Sequence, residues 1–298
     1  MTMSMELKGR LFVINRLDNV QKHDQARARK AAELRSTILE AALKAGKGHI
    51  PPAFSWVELA VALFQDGVLR LKPSQPDWPD RDRFILSKGH GCLTLYAALS
   101  DLGYFDKSEL SRVSTDGSML AGHPDPLIPG VEAMSGSLGH GLGVGAGLAL
   151  AARLDGRDTL SVVVLGDGEC NEGSIWEAVM FAAHHKLSRL IAIVDRNSLS
   201  STGFTEDVLR LEPFDQRWQA FGWDTITIDG HSFPAIDEAL DNLRDRKSER
   251  PLAIIARTTK GRGVSFMENS PQWHHRMPKG PEIEVARREL AAALETAQ

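Results

Sequence analysis

Cysteine is nearly absent: the 298 residues include two, Cys92 and Cys170, each inside an apolar segment. Two thiols make no disulfide framework and their separation suits no metal-ligand pair, so both read as buried structural residues. Long apolar runs are also missing. The most apolar stretch, Leu142 to Leu154, is broken by glycines and falls well short of the roughly 20 residues needed to cross a bilayer. Met1 to Val20 lack a basic head followed by an unbroken apolar run, so no secretory signal is expected and the chain reads as cytoplasmic, without a membrane partner. Charge of either sign is not in excess. The 35 basic and 39 acidic residues are interspersed and give a formal net charge of -4. No basic stripe follows a phosphate backbone, so nucleic acid is not an expected partner. Internal repeats and low-complexity segments are lacking as well. The 42% hydrophobic and 25% charged residues are those of an ordinary globular protein, and the length allows one large α/β domain or two small ones.

Ala28, Ala31, Ala32, Ile38, Leu39, Ala42 and Leu43 recur near helical spacing, which predicts a helix over Asp24 to Ala45 stopped by Gly46. Residues 1–23 then read as an N-terminal arm. Ser55 and Glu58 have the Ser-x-x-Glu spacing of a capping box ahead of the apolar Leu59 to Phe64, which predicts a second helix after a loop at Lys47 to Pro52. Five short β-rich runs follow: Arg83 to Leu86, Ser161 to Leu165, Leu190 to Val194, Thr225 to Ile228 and Leu252 to Ala256. Helix-length segments separate them, which predicts an α/β fold: a mostly parallel sheet with helices on both faces. Ligands of such sheets sit at the carboxyl ends of the strands, so the loops after Leu86, Leu165, Val194 and Ala256 should line one rim. Glu282 to Thr296, rich in Ala and Arg, reads as a surface helix.

The run Val162-Val163-Val164-Leu165-Gly166-Asp167-Gly168 is a buried strand ending in Gly-Asp-Gly, with a helix expected near Glu172. The glycines let the backbone turn sharply and approach a ligand, and free amides at a helix start can donate to phosphate oxygens. Asp167 would hold a cation between protein and phosphate. Thirty residues on, the next strand delivers Asn197 to the same rim. Mg²⁺ prefers near-octahedral oxygen coordination with one or two protein groups plus phosphates and water, a demand that Asp167, Asn197 and the Leu199 carbonyl satisfy.

This Gly-Asp-Gly to Asn spacing resembles the signature of thiamine-diphosphate enzymes. Further stretches narrow the resemblance to transketolases, from about Ala31 to Met277: Lys47-Gly48-His49, Ser87-Lys88-Gly89-His90, Gly122-His123-Pro124, Ser135 to Gly141, Gly166 to Gly173, and Thr258-Thr259-Lys260-Gly261-Arg262-Gly263. The resemblance implies one thiamine-diphosphate domain over residues 1–298, with thiamine diphosphate and Mg²⁺ (or Ca²⁺ or Mn²⁺ in its place) as cofactors. It implies that Asp167, Asn197 and Leu199 hold the metal. His90, His274 and the Gly168 amide would contact the diphosphate, with His275 adjoining as an alternative to His274. Gly136, Leu138 and Glu169 would also belong to the cofactor site. His49 and His123 would face the reactive thiazolium carbon and hold substrate oxygens. Glu172, and with it Glu177, would reach a subunit interface and a partner's catalytic carboxylate.

Two departures from the family pattern stand out. Gly48-His49-Ile50-Pro51-Pro52 replaces the frequent Gly-His-Pro-Gly, so backbone donation to substrate is not expected from Pro51 or Pro52. The pyrimidine-binding domain of full transketolases is expected on a separate, C-terminal subunit, in a dimer of heterodimers. The implied reaction is transfer of a two-carbon ketol unit between small sugars, active with that partner. The alternatives are a subunit of a 1-deoxyxylulose-phosphate synthase or 2-oxo acid dehydrogenase, or a non-catalytic thiamine-diphosphate-binding protein.

Overall fold

Residues 5–297 are described by a computed structural model; residues 1–4 of the expected arm lie outside it. Helix α1 runs Met5–Ala45, so the helix predicted from Asp24 continues back through most of the segment expected as an arm. A short α2 (Ile50–Phe54) and α3 (Val57–Phe64) follow, both fully buried. Strand β1 (Arg83–Leu86) leads through a 3-10 turn at Gly89–Gly91 into α4 (Cys92–Asp101). After a long irregular stretch, α5 (Gly141–Leu154) precedes β2 (Ser161–Gly166), and α6 (Gly173–His184) precedes β3 (Leu190–Arg196). The remainder comprises α7 (Thr205–Val208), α8 (Phe214–Ala220), β4 (Asp224–Asp229), α9 (Phe233–Leu240), β5 (Leu252–Arg257) and α10 (Pro281–Thr296).

All five predicted strands are present, all parallel, in the order β1-β2-β3-β5-β4. Successive side chains of a strand point to opposite faces, and here each face has its own core. Val162, Val164, Ile191 and Ile193 point into one core with α1 to α4, α9 and α10. Val163, Leu165, Ala192 and Val194 point into the other with α5, α6 and α8. Burial on both faces explains the apolar runs of β2 and β3, whereas the edge strand β4 alternates Thr and Ile and is partly exposed. Both cysteines are buried and free.

Two local expectations fail. Ser55 and Glu58 form no capping box: α3 has no side-chain cap, because Ser55 donates to Asp195 at 2.6 Å and Glu58 accepts from Arg35 at 2.7 Å. Nor is Lys47 to Pro52 wholly a loop. Ile50 already begins α2, and Pro51 and Pro52 occupy first-turn positions whose amides have no partner within a helix, so the missing donors cost little there.

Candidate active site

Parallel strands place the carboxyl ends of β1, β2, β3 and β5 side by side, and the predicted site residues gather there. Asp195 at the end of β3 anchors the floor. Its fully buried carboxylate accepts from Lys88, from Thr258, from Ser55 at 2.6 Å and from Asn197 Nδ2 at 3.1 Å. Three of these partners come from other loops and the fourth from the loop that follows β3 itself, so one carboxylate fixes their mutual positions. Burial alone would raise the Asp195 carboxyl, but the Lys88 ammonium holds it below its ordinary value. Because Asn197 gives its nitrogen to Asp195, its oxygen turns the other way, where it accepts from the Leu199 amide at 3.1 Å.

The loops that carry the three expected metal-holding groups meet. Asp167 Oδ2 accepts from the Ser198 amide at 2.5 Å, so the β2 tip touches the Asn197–Leu199 loop. The Leu199 carbonyl accepts from Lys260 Nζ at 2.9 Å. A cation already sits at this oxygen, and a metal ion would compete with it. Asp167 is buried, and burial with the nearby charge of Asp195 raises its carboxyl above the ordinary value, although Arg196 at 3.2 Å opposes this. A buried carboxylate so placed is stabilised by a divalent ion. Among the described residues no three His, Cys, Asp or Glu side chains cluster to hold a metal by themselves. The expected set, with one carboxylate, an amide oxygen and a carbonyl, is all oxygen and fits Mg²⁺.

Opposite the oxygen donors stands a wall of histidines. His49 lies 6.1 Å from His90, 6.3 Å from His123 and 5.5 Å from His274, measured between ring centres, and His90 lies 5.6 Å from His274. His274, not His275, lies beside His90 and meets Lys260, its Nδ1 being 2.7 Å from the ammonium. Burial, then the proximity of other donors, lowers these rings: His49 falls to about 4 and His274 to about 3, with Lys260 the largest neighbour of the latter. His90 falls well below its ordinary value through burial and Lys88. Burial and Lys88 bring Lys260 down to about 8. Nitrogen donors crowded together, each discouraging its neighbour's charge, form a cradle for an anion. Ser135 adds a buried hydroxyl without a hydrogen-bond partner, beside Gly89 and His123. The cradle therefore fits a diphosphate.

Other expected residues behave differently. Gly168 donates its amide to Asp167 Oδ1 at 2.7 Å and opens a 3-10 turn, Gly168–Asn171, before α6 begins. Glu169 does not face the cradle. It is buried and accepts from the Ser87 hydroxyl and, each at 2.9 Å, from the amides of Gly139 and Gly166, so it ties three site loops together. Gly136 lies against His123, Leu138 is half-buried, and Glu172 and Glu177 are exposed. Sequence reasoning assigned no role to Lys88, Lys260, Asp195 or His231. The two lysines were visible as strand-end Lys-Gly pairs; Asp195 and His231 carried no local signal.

A parallel sheet in this order, with glycine-rich turns and an anion cradle at one rim, defines the α/β thiamine-diphosphate-binding fold. Residues 26–296 match the family described as transketolase, thiamine diphosphate binding domain, and the chain belongs to the transketolase family. It is 41% identical over 261 residues to one of the subunits of the apulose-4-phosphate transketolase of Phocaeicola vulgatus, covering 88% of this chain and 92% of that one. A 6-deoxy-6-sulfo-D-fructose transketolase subunit of a Clostridium species is 39% identical, over 83% of this chain and 89% of that one. Among solved structures, the transketolase of Campylobacter jejuni superposes with a TM-score of 0.81 at 28% identity, over 92% of this chain and 46% of that one. The transketolase from Leishmania mexicana gives 0.80 at 28% identity, over 91% and 45%. The chain thus spans just under half the length of these solved transketolases.

Proposed function

We propose that the chain is the diphosphate-binding subunit of a two-chain transketolase, which moves a two-carbon ketol unit from a ketose to an aldose with thiamine diphosphate and Mg²⁺. The observation that carries this reading is the meeting, at one rim, of an oxygen set for a hard cation with a nitrogen cradle for a diphosphate. Asp167, Asn197 and the Leu199 carbonyl would hold the ion. His90, His274 and Lys260 would hold the diphosphate. When bound, thiamine diphosphate supplies a nucleophilic carbon and an electron sink for carbon–carbon cleavage.

His49 and His123 act on the substrate side. Both rings are lowered, His49 to about 4, so they stay neutral near pH 7 and donate hydrogen bonds to substrate oxygens that gain charge. The names of the two relatives support sugars carrying a phosphate or a sulfonate as the substrate class.

A second, pyrimidine-binding subunit is part of the proposal. Support comes from relatives named as subunits that match over about nine tenths of their own length. It comes also from exposed apolar side chains, Val144 on α5 and Met180 and Phe181 on α6, on two helices that pack together. Exposed apolar surface of this kind marks a protein contact. Glu177 lies on α6 and Glu172 at its start, the pair expected to reach the partner. The test is calorimetry of Mg²⁺-dependent thiamine diphosphate binding. Asp167→Ala should abolish it, since Glu169 is buried and engaged by three donors, and Glu172 lies exposed at the far end of the 3-10 turn. Unchanged affinity in the variant would defeat the reading.

A further inference from the structure

The loop carrying Lys260 is held by its backbone. The Thr258 amide donates to the Arg196 carbonyl at 3.1 Å, and the Gly261 amide to the Pro51 carbonyl at 3.1 Å. The Thr259 amide, immediately before Lys260, donates instead to a side chain: Nε2 of His231, at 2.8 Å. A ring nitrogen that accepts carries no proton, so the proton of His231 resides on Nδ1. Nδ1 faces Glu58 Oε2 at 3.0 Å and donates to it. Glu58 is gripped in turn by Arg35 through two contacts, 2.8 and 2.7 Å long. Burial alone would raise the Glu58 carboxyl, but the Arg35 charge and the His231 hydrogen bond bring it down to about 2, so it remains an acceptor.

His231 sits in the turn after β4, and the backbone there is built for this contact. The His231 amide donates to Asp229 Oδ1 at 2.9 Å, and the Gly230 amide to the Arg257 carbonyl at 2.8 Å. A Cβ on Gly230 would stand 2.5 Å from Thr258 Cγ2 and 3.1 Å from the Arg257 carbonyl oxygen. Only glycine lets the two turns approach this closely.

We infer that His231 is a positioning residue for the cofactor site: oriented by Glu58 and Arg35, it holds the Thr259 amide and so sets the place of the Lys260 ammonium, without touching cofactor or substrate. The inference rests on the function proposed above for Lys260, and it accounts for a buried Arg-Glu-His relay that the reaction itself does not use. Such a relay resembles the outer partners that orient metal-bound histidines, which contribute to affinity without ligating. Here the oriented histidine serves a backbone amide.

Gln and Phe separate this role from simple packing. Gln can present an oxygen near the position of Nε2, whereas Phe fills the space without an acceptor. The measurements are amide exchange across residues 258–263 and calorimetric affinity for Mg²⁺-thiamine diphosphate, made on the full chain with its partner. In His231→Phe, exchange of Thr259 should accelerate and affinity fall by about threefold to tenfold, the span of one net hydrogen bond. In His231→Gln both should return to within about twofold of wild type. Equal behaviour of Phe and Gln, or wild-type exchange and affinity in Phe, would overturn the inference. Absence of cofactor binding by the wild-type complex would instead overturn the proposed function, while altered exchange in His231→Phe alone would still establish the hold on Thr259.

Discussion

At the scale of single residues, Lys260 is where the electrostatics become measurable. Burial and Lys88 lower its ammonium from 10.5 to about 8. Below about pH 8 it is charged before and after an anion arrives. Above that pH, binding must first take up a proton, so affinity for thiamine diphosphate should fall as pH rises past about 8. Calorimetry over pH 7 to 9.5 checks this, and Lys260→Met should bind weakly with that dependence removed. A wild-type profile flat across the range would refute it. The set proposed to hold the metal could be named from the sequence because Asp167, Asn197 and Leu199 stand at fixed offsets from two recognisable strands. The lysines were harder to read. Ammonium groups ordinarily face water, and only the folded rim shows Lys88 and Lys260 almost wholly buried, each against an oxygen from another loop. Glu169 shows what the motif alone does not reveal: its neighbours suggested a cofactor contact, and in the fold its carboxylate holds Ser87, Gly139 and Gly166.

At the scale of elements, the central strands β2 and β3 were readable because burial on both faces favours apolar residues along their length, which leaves a mark independent of distant contacts. Helix ends were not, because their signals can be diverted. Ser55 has the right spacing for a cap, yet its hydroxyl goes to Asp195, 140 residues away in sequence, and Glu58 goes to Arg35, 23 residues away. Where a buried charge needs a partner, its demand outweighs a cap contributing about 1 kcal/mol. Packing between elements yields a further expectation. Helix α5 begins against the loop after β1, where a Cβ on Gly141 would lie 2.4 Å from Ser87 Cβ and 2.9 Å from its Cα. Gly141→Ala should therefore destabilise the fold by about 1–3 kcal/mol despite the better helix propensity of alanine. Chemical denaturation measures this; a midpoint equal to wild type would show that α5 can shift freely.

At the scale of the whole molecule, the described residues include a chemically equipped rim and exposed apolar side chains on α5 and α6, and neither is explained by the chain's own folding. Val144, Met180 and Phe181 are 43%, 50% and 40% exposed, on helices whose opposite sides are firmly in the core. Met180→Glu should leave the isolated chain folded and prevent assembly with the pyrimidine-binding subunit, because a charge there would be buried unpaired. Native mass spectrometry of the complex, with circular dichroism of the chain alone, tests both halves; assembly unaffected by the charge would place the contact elsewhere. The excursion from the end of β1 to the start of β2, residues 87–160, has a different consequence. It carries His90, His123, Ser135, Gly136 and Leu138, while its two ends are fixed by a pair of neighbouring strands. Several residues proposed for the cofactor site, with one of the two histidines proposed to meet substrate, thus lie on a single contiguous stretch of gene. Evolution, or a chimaera, could exchange that cassette and retune the chemistry without disturbing the pairings of β2 through β5.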